Sequence, residues 1–219
     1  MIVTDYHKEY FQLIKNRPEL FADSEIYPIV TDVEIINCFE KETHLKIGVL
    51  YKSKYSMLVV DLIKGKDGYF TYERIIPTAT GKAVVCIPVF ENRFILMDQY
   101  RHSIRDRQIC FPRGFGEDGI SSEENAKKEL FEEIDATTGK TEYIGSITAD
   151  SGLIGTECDV YLCYIENMRL KDEEGICDII CLDKDELEKK ICNHEIKDGF
   201  TLSAYILYKS VKTSEELPV

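Results

Sequence analysis

A glycine-rich turn followed at once by a helix with a strong start signal constrains this chain more than any other feature. The turn is Pro112-Arg113-Gly114-Phe115-Gly116-Glu117-Asp118-Gly119. Ser121 and Glu124 then make a Ser-x-x-Glu capping box, which marks a helix start. Two faces follow from the spacing. Ala126, Leu130 and Ile134 recur at every fourth residue and give an apolar face, while Glu129, Glu132 and Glu133 fall at i, i+3 and i+4 and share a different one. Carboxylates so placed repel one another, and a hard divalent cation with oxygen ligands removes that repulsion. A glutamate-rich helix face is usually just solvated surface. The loop and the cap before it favour a metal and phosphate site instead.

Charge narrows the classes of partner. The 219 residues hold 27 Lys and Arg against 40 Asp and Glu, a formal charge of −13. Such a surface repels nucleic acid and anionic membranes, and no run of basic residues offsets it. A small anionic molecule can still bind where a cation and a few arginines neutralise it locally. No apolar run is long enough to span a bilayer, and the first residues lack a signal-peptide pattern. The expectation is a cytoplasmic protein. None of the eight cysteines forms a Cys-x-x-Cys pair, which argues against zinc. Most lie in apolar strand-like runs and read as reduced core thiols.

Along the chain, Tyr6, Tyr10, Leu13 and Ile14 give residues 4–15 an amphipathic helical pattern, with Pro18 just beyond. Val33–Phe39, Leu45–Tyr51, Tyr55–Ile63 and Tyr69–Ile76 read as strands, with Asp67-Gly68 turning the last two into a hairpin. This predicts a small β-rich section over 1–78 with a leading helix, and a second domain over 79–219. There Ala83–Phe90 and Arg93–Gln99 pair around Glu91-Asn92, the loop and helix follow, and strands resume at Tyr143–Thr148, Asp159–Ile165 and Ile176–Leu182. Asp183–Cys192 and Phe200–Lys209 read as helices.

The stretch from Gly114 to Ala136 resembles the Nudix box: Gly, five residues, Glu, seven residues, Arg-Glu, an aliphatic, any residue, Glu-Glu, any residue, Gly, an aliphatic. Gly114, Glu129, Leu130, Glu132 and Glu133 are in register. Ile120 stands where the family has Glu, Lys128 where it has Arg, and Asp135 where it has Gly. The first two changes remove both members of a pair expected to brace loop against helix, which avoids stranding one charge. Asp135 falls where a left-handed helix end is needed, and Asp tolerates that better than most residues. Gln99-Tyr100-Arg101, Phe111-Pro112-Arg113-Gly114, Asp150-Ser151-Gly152-Leu153 and Ile196-Lys197-Asp198-Gly199-Phe200-Thr201-Leu202 resemble segments of ADP-ribose pyrophosphatases in the same order. Cys110 stands where those relatives commonly have Glu. The resemblance covers roughly residues 69–209.

The resemblance implies an α+β fold, a Nudix α/β/α sandwich with a mixed sheet after the β-rich section, which in that subfamily often builds a homodimer. It implies Mg²⁺-dependent hydrolysis of a nucleoside diphosphate derivative such as ADP-ribose, with Mn²⁺ as an alternative cation. A catalytically weak nucleotide-binding sensor is the other reading, because of Ile120, Lys128, Asp135 and Cys110. Glu129, Glu132 and Glu133 would hold the metal, with the Arg113 carbonyl adding an oxygen where Gly114 permits close approach. Arg101, Arg113 and Gly114 would meet substrate, although Arg101 could equally brace a loop with Asp106. Glu133 is a catalytic candidate. So are Glu174 and Glu173 as general base, in an acidic loop that reads equally well as solvated surface.

Overall fold

The computed structural model describes residues 5–171 and 175–216 and divides into two units: Met1–Ala79 with Asp150–Thr156, and Thr80–Ala149 with Glu157–Val219. In the first, helix α1 (Asp5–Asn16) and helix α2 (Val33–Thr43) accompany a three-stranded antiparallel sheet of β1 (Gly48–Lys52), β2 (Ser56–Gly65) and β3 (Gly68–Pro77). Tyr10, Leu13, Ile36, Ile47, Val59, Leu62 and Ile76 form its core. The one carboxylate buried in it, Asp61, accepts from the Tyr10 hydroxyl at 2.5 Å and pairs with Arg74 at 2.6 Å. A buried charge needs partners of this kind. Asp67-Gly68 turns β2 into β3, and Gly68 supplies the positive φ of 135° there.

One expected strand is a helix. Val33–Phe39 reads as a strand because Val33, Ile35 and Ile36 are β-branched, yet these residues open α2. The Asp32 carboxylate decides the matter by accepting from the Glu34 and Ile35 backbone N–H groups at 2.8 and 3.1 Å. An N-cap that satisfies orphan donors outweighs a modest propensity penalty. His44, in the left-handed region at φ 63°, closes the helix.

The second unit is a mixed sheet in the order β10 (Ile176–Leu182), β5 (Arg93–Arg101), β4 (Ala83–Phe90), β9 (Cys158–Ile165), β8 (Thr138–Ile147). The β4–β9 pair is parallel and the rest are antiparallel. Period-two alternation divides β4 between two cores. Val84 and Cys86 pack with Ala126, Leu130 and Ile134 of helix α3 (Ser122–Ile134). Val85 and Ile87 pack with Leu187 of helix α4 (Lys184–Cys192) and with Ala204 and Tyr205 of helix α5 (Gly199–Glu216). Helices on both faces make this the expected α/β/α sandwich.

The site owes its place to a parting of strands. Glu91 and Asn92, at φ 48° and 63°, turn β4 into β5, but the two strands pair only at Val89–Phe94 and Phe90–Arg93. Beyond that point β5 pairs with β6 (Asp106–Cys110), and the short β7 (Arg113–Gly114) takes up the freed edge of β4 opposite Val85 and Val84. The chain is thereby carried across the sheet to the start of the glycine-rich loop. Among the described residues, no helix is long and apolar enough to cross a membrane.

Candidate active site

The capping box forms as the spacing requires. Ser121 Oγ accepts from the Glu124 N–H at 3.2 Å, and the Glu124 carboxylate accepts from the Ser121 N–H at 2.9 Å. Asn125, buried one position before Ala126, donates to the Phe115 carbonyl at 2.9 Å and sews the loop to the helix. Close approach explains two glycines of the loop, to backbone at Gly116 and to a side chain at Gly114. A Cβ on Gly116 would lie 1.8 Å from the Gly81 carbonyl oxygen, and one on Gly114 would lie 1.9 Å from the Glu129 carboxylate carbon. The Glu129 carboxylate rests against Gly114, so any side chain at that position would displace it.

Glu129 and Glu133 are partly buried beside one another. Burial, then the Glu132 charge, raises Glu129 to about 7. Burial, then the Glu129 charge, raises Glu133 to about 8, opposed by Arg101, by the facing Arg113 backbone N–H and by the Arg113 guanidinium. One oxygen, Glu133 Oε2, is buried with no hydrogen-bond partner. Two carboxyls held together away from water hold a proton near neutral pH unless a cation replaces it.

Both expected arginines stand at this pair. Arg101 donates to Cys110 Sγ at 3.4 Å, so the thiol where relatives commonly have Glu still makes a contact at the site, and the Asp106 brace is not adopted. The Arg113 guanidinium lies 4.3 Å from the Phe200 ring centroid and 3.6 Å from the Asp198 carboxylate. Burial, then the nearby Arg101 charge, lowers its pKa. The Nε atoms of both arginines are buried without partners. Two cationic forks with unused donors beside an acidic pair suit a phosphate ester bridged by a cation.

The third helix glutamate behaves differently. Glu132 pairs with Lys128 at 3.1 Å, and Lys128 also reaches Glu117 at 2.5 Å. Lys128 is thus not the unbraced remnant of a lost pair. Glu117, three residues before Ile120, takes over the tie between loop and helix. Asp135 occupies the left-handed region (φ 52°) as anticipated, and its carboxylate pairs with Arg169 at 2.6 Å. Among the described residues no group of three or more His, Cys, Asp or Glu side chains is arranged to hold a metal ion. The donors that do fit one are Glu129 and Glu133, whose unpartnered Oε2 offers a free oxygen. A hard cation that keeps several waters suits two carboxylates. Glu173 and Glu174 lie outside the described residues.

Sequence reasoning noted the segment around Asp198 without assigning it a part. The Asp198 carboxylate, itself buried, accepts from the Thr201 N–H at 2.9 Å and its hydroxyl at 2.8 Å. Thr201 Oγ1 in turn accepts from the Phe111 N–H at 2.9 Å. The start of α5 therefore pins the strand that delivers Arg113 and Gly114. The Asp-x-x-Thr spacing at a helix start is a capping signal that could have shown this. Glu117 and Asn125 carried no comparable signal, because their partners are set by the path of the loop.

No family model matches the chain. A methanol dehydrogenase activator of Bacillus methanolicus is 26% identical over 170 residues, 76% of this chain and 91% of that protein. A crystal structure of an ADP compounds hydrolase superposes with a TM-score of 0.66 at 16% identity, over 78% of this chain and 94% of that one. The fold is accordingly shared with that hydrolase, and it is the α+β sandwich with a mixed sheet that the sequence resemblance implied.

Proposed function

We propose that this protein hydrolyses the pyrophosphate bond of a nucleoside diphosphate derivative, ADP-ribose or a close analogue, at Glu129 and Glu133 with a divalent cation, Mg²⁺ or Mn²⁺. The observation that carries the reading is the partly buried Glu129–Glu133 pair with an unpartnered oxygen, flanked by Arg101 and Arg113. The structural likeness to an ADP compounds hydrolase supports it at the level of fold.

A cation there would neutralise pyrophosphate charge and lower the pKa of a bound water. Arg101 and Arg113 would orient the phosphates through their free Nε donors. Gly114 admits the Glu129 carboxylate against the backbone, and Asp198 with Thr201 holds that backbone in place. Water adds to one phosphorus as the bridging P–O bond breaks, giving a nucleoside monophosphate and a phosphorylated remainder. Glu133, with an oxygen that makes no hydrogen bond, is the described group placed to take the proton that this water loses. Glu173 and Glu174 remain proposed alternatives for that part, and Glu132 for the metal.

A panel of ADP-ribose, NADH, FAD, sugar nucleotides and dinucleoside polyphosphates with Mg²⁺ or Mn²⁺, read by the phosphate that an added phosphatase releases from the monoester products, tests this. Turnover of at least one member is expected. No turnover of any member at high enzyme concentration contradicts it.

A second reading has its own observation. The relative from Bacillus methanolicus is named for activating another protein, and Lys128 engages one of the three expected metal ligands. On that reading the chain binds a nucleotide without cleaving it. Saturable binding by calorimetry, with the ligand intact by mass spectrometry, would favour it.

A further inference from the structure

Arg113 differs from other arginines of the chain in how its charge is held. Arg17, Arg74, Arg93 and Arg107 each donate to a carbonyl or carboxylate oxygen. Among the described residues the Arg113 guanidinium makes no hydrogen bond. Asp198, its ion-pair partner, lies 3.6 Å away, and its Nε is buried with nothing to donate to. Burial and the nearby Arg101 charge both work against it. What faces the charge is the Phe200 ring, with its centroid 4.3 Å from Cζ. A cation over a ring is attracted without an oxygen acceptor. The N–H groups of the fork therefore stay uncommitted, on a side chain that is still 28% exposed.

The ring is itself held in place. Phe200 is the second residue of α5 and packs, partly buried, against the core that holds Phe111 and Ala204. Asp198 and Thr201 bracket it and are bonded to each other at 2.9 and 2.8 Å. Thr201 Oγ1 also accepts from the N–H of Phe111, two residues before Arg113. One threonine thus anchors both the backbone that carries the ring and the backbone that carries the guanidinium. We propose that Phe200 is a positioning residue: its ring holds the Arg113 guanidinium while leaving the edge donors of the fork free for a phosphate of the ligand. This rests on the nucleotide reading given above, and it applies whether the chain cleaves that ligand or only binds it. A planar fork is suited to such a seat, because its donors are fixed in direction once the plane is fixed.

Titration calorimetry on the full chain tests this, using the panel member that the wild type binds most tightly, first in EDTA and then with Mg²⁺. Phe200→Leu keeps an apolar side chain in the core and removes the ring, and thermal melts check that each variant folds. It is expected to weaken binding on the order of tenfold, and Phe200→Tyr to stay within about twofold of the wild type. Arg113→Met should weaken binding at least as much as Phe200→Leu. The double variant Phe200→Leu, Arg113→Met should bind no more weakly than Arg113→Met alone, because a residue that acts only through another has no effect once that other is gone. Wild-type affinity in Phe200→Leu overturns the proposal. So does a loss of equal size in the wild-type and Arg113→Met backgrounds, which would assign Phe200 a purely structural part. A wild-type chain that binds no member of the panel under either condition overturns the nucleotide reading, and this inference falls with it.

Discussion

Glu133 is the residue on which the proposed chemistry turns. In the folded chain its pKa stands at about 8 and that of Glu129 at about 7, against an ordinary value near 4.5. Between roughly pH 5 and pH 8 the native state therefore holds more protons than the unfolded state. Stability without a cation falls as pH rises through that window and is highest at its acidic end. A divalent cation replaces the missing protons, so Mg²⁺ should raise the melting temperature more at pH 8 than at pH 6. Thermal melts at the two pH values, with and without Mg²⁺, check this, and an equal effect at both would contradict it. Gly114 gives a second prediction at the same scale. A methyl group there would overlap the Glu129 carboxylate, so Gly114→Ala should weaken Mn²⁺ binding on the order of tenfold or more while the far-ultraviolet circular dichroism is unchanged.

At the scale of elements, the loop, α3 and the start of α5 act together. Thr201 accepts from the buried Phe111 N–H and donates to Asp198. Thr201→Val keeps the shape of the side chain but leaves those groups unsatisfied, which should cost about 1–3 kcal/mol in denaturant unfolding. A loss below about 0.5 kcal/mol would show that the bonds are replaced by water or neighbours. Ser121→Ala removes half of the capping box and should cost about 1 kcal/mol. Elements differ in how far they could be read in advance. The hairpin at Glu91-Asn92, the capped helix and the left-handed Asp135 follow from local chemistry, so they are legible from a few neighbouring residues. Helix α2 is not, because its β-branched start hides a cap at Asp32 that matters more. Lys128–Glu117 and Asn125–Phe115 depend on the loop's path in space, which spacing along the chain does not reveal.

Over the whole molecule, the charge of −13 makes a locally neutralised site the natural place for an anionic ligand. Arg101, Arg113 and a cation would supply that neutralisation. A homodimer is proposed from the resemblance and is checked by light scattering after size exclusion, where a mass near twice 25.2 kDa is expected and a mass of one chain would contradict it. The most direct measurement compares turnover of the ADP-ribose panel by the wild-type chain and by Glu133→Gln at equal concentration, with Mg²⁺ present and folding verified. The account predicts hydrolysis by the wild type and a loss on the order of a hundredfold or more in the variant. Turnover that survives the substitution, or none in the wild type, would contradict it.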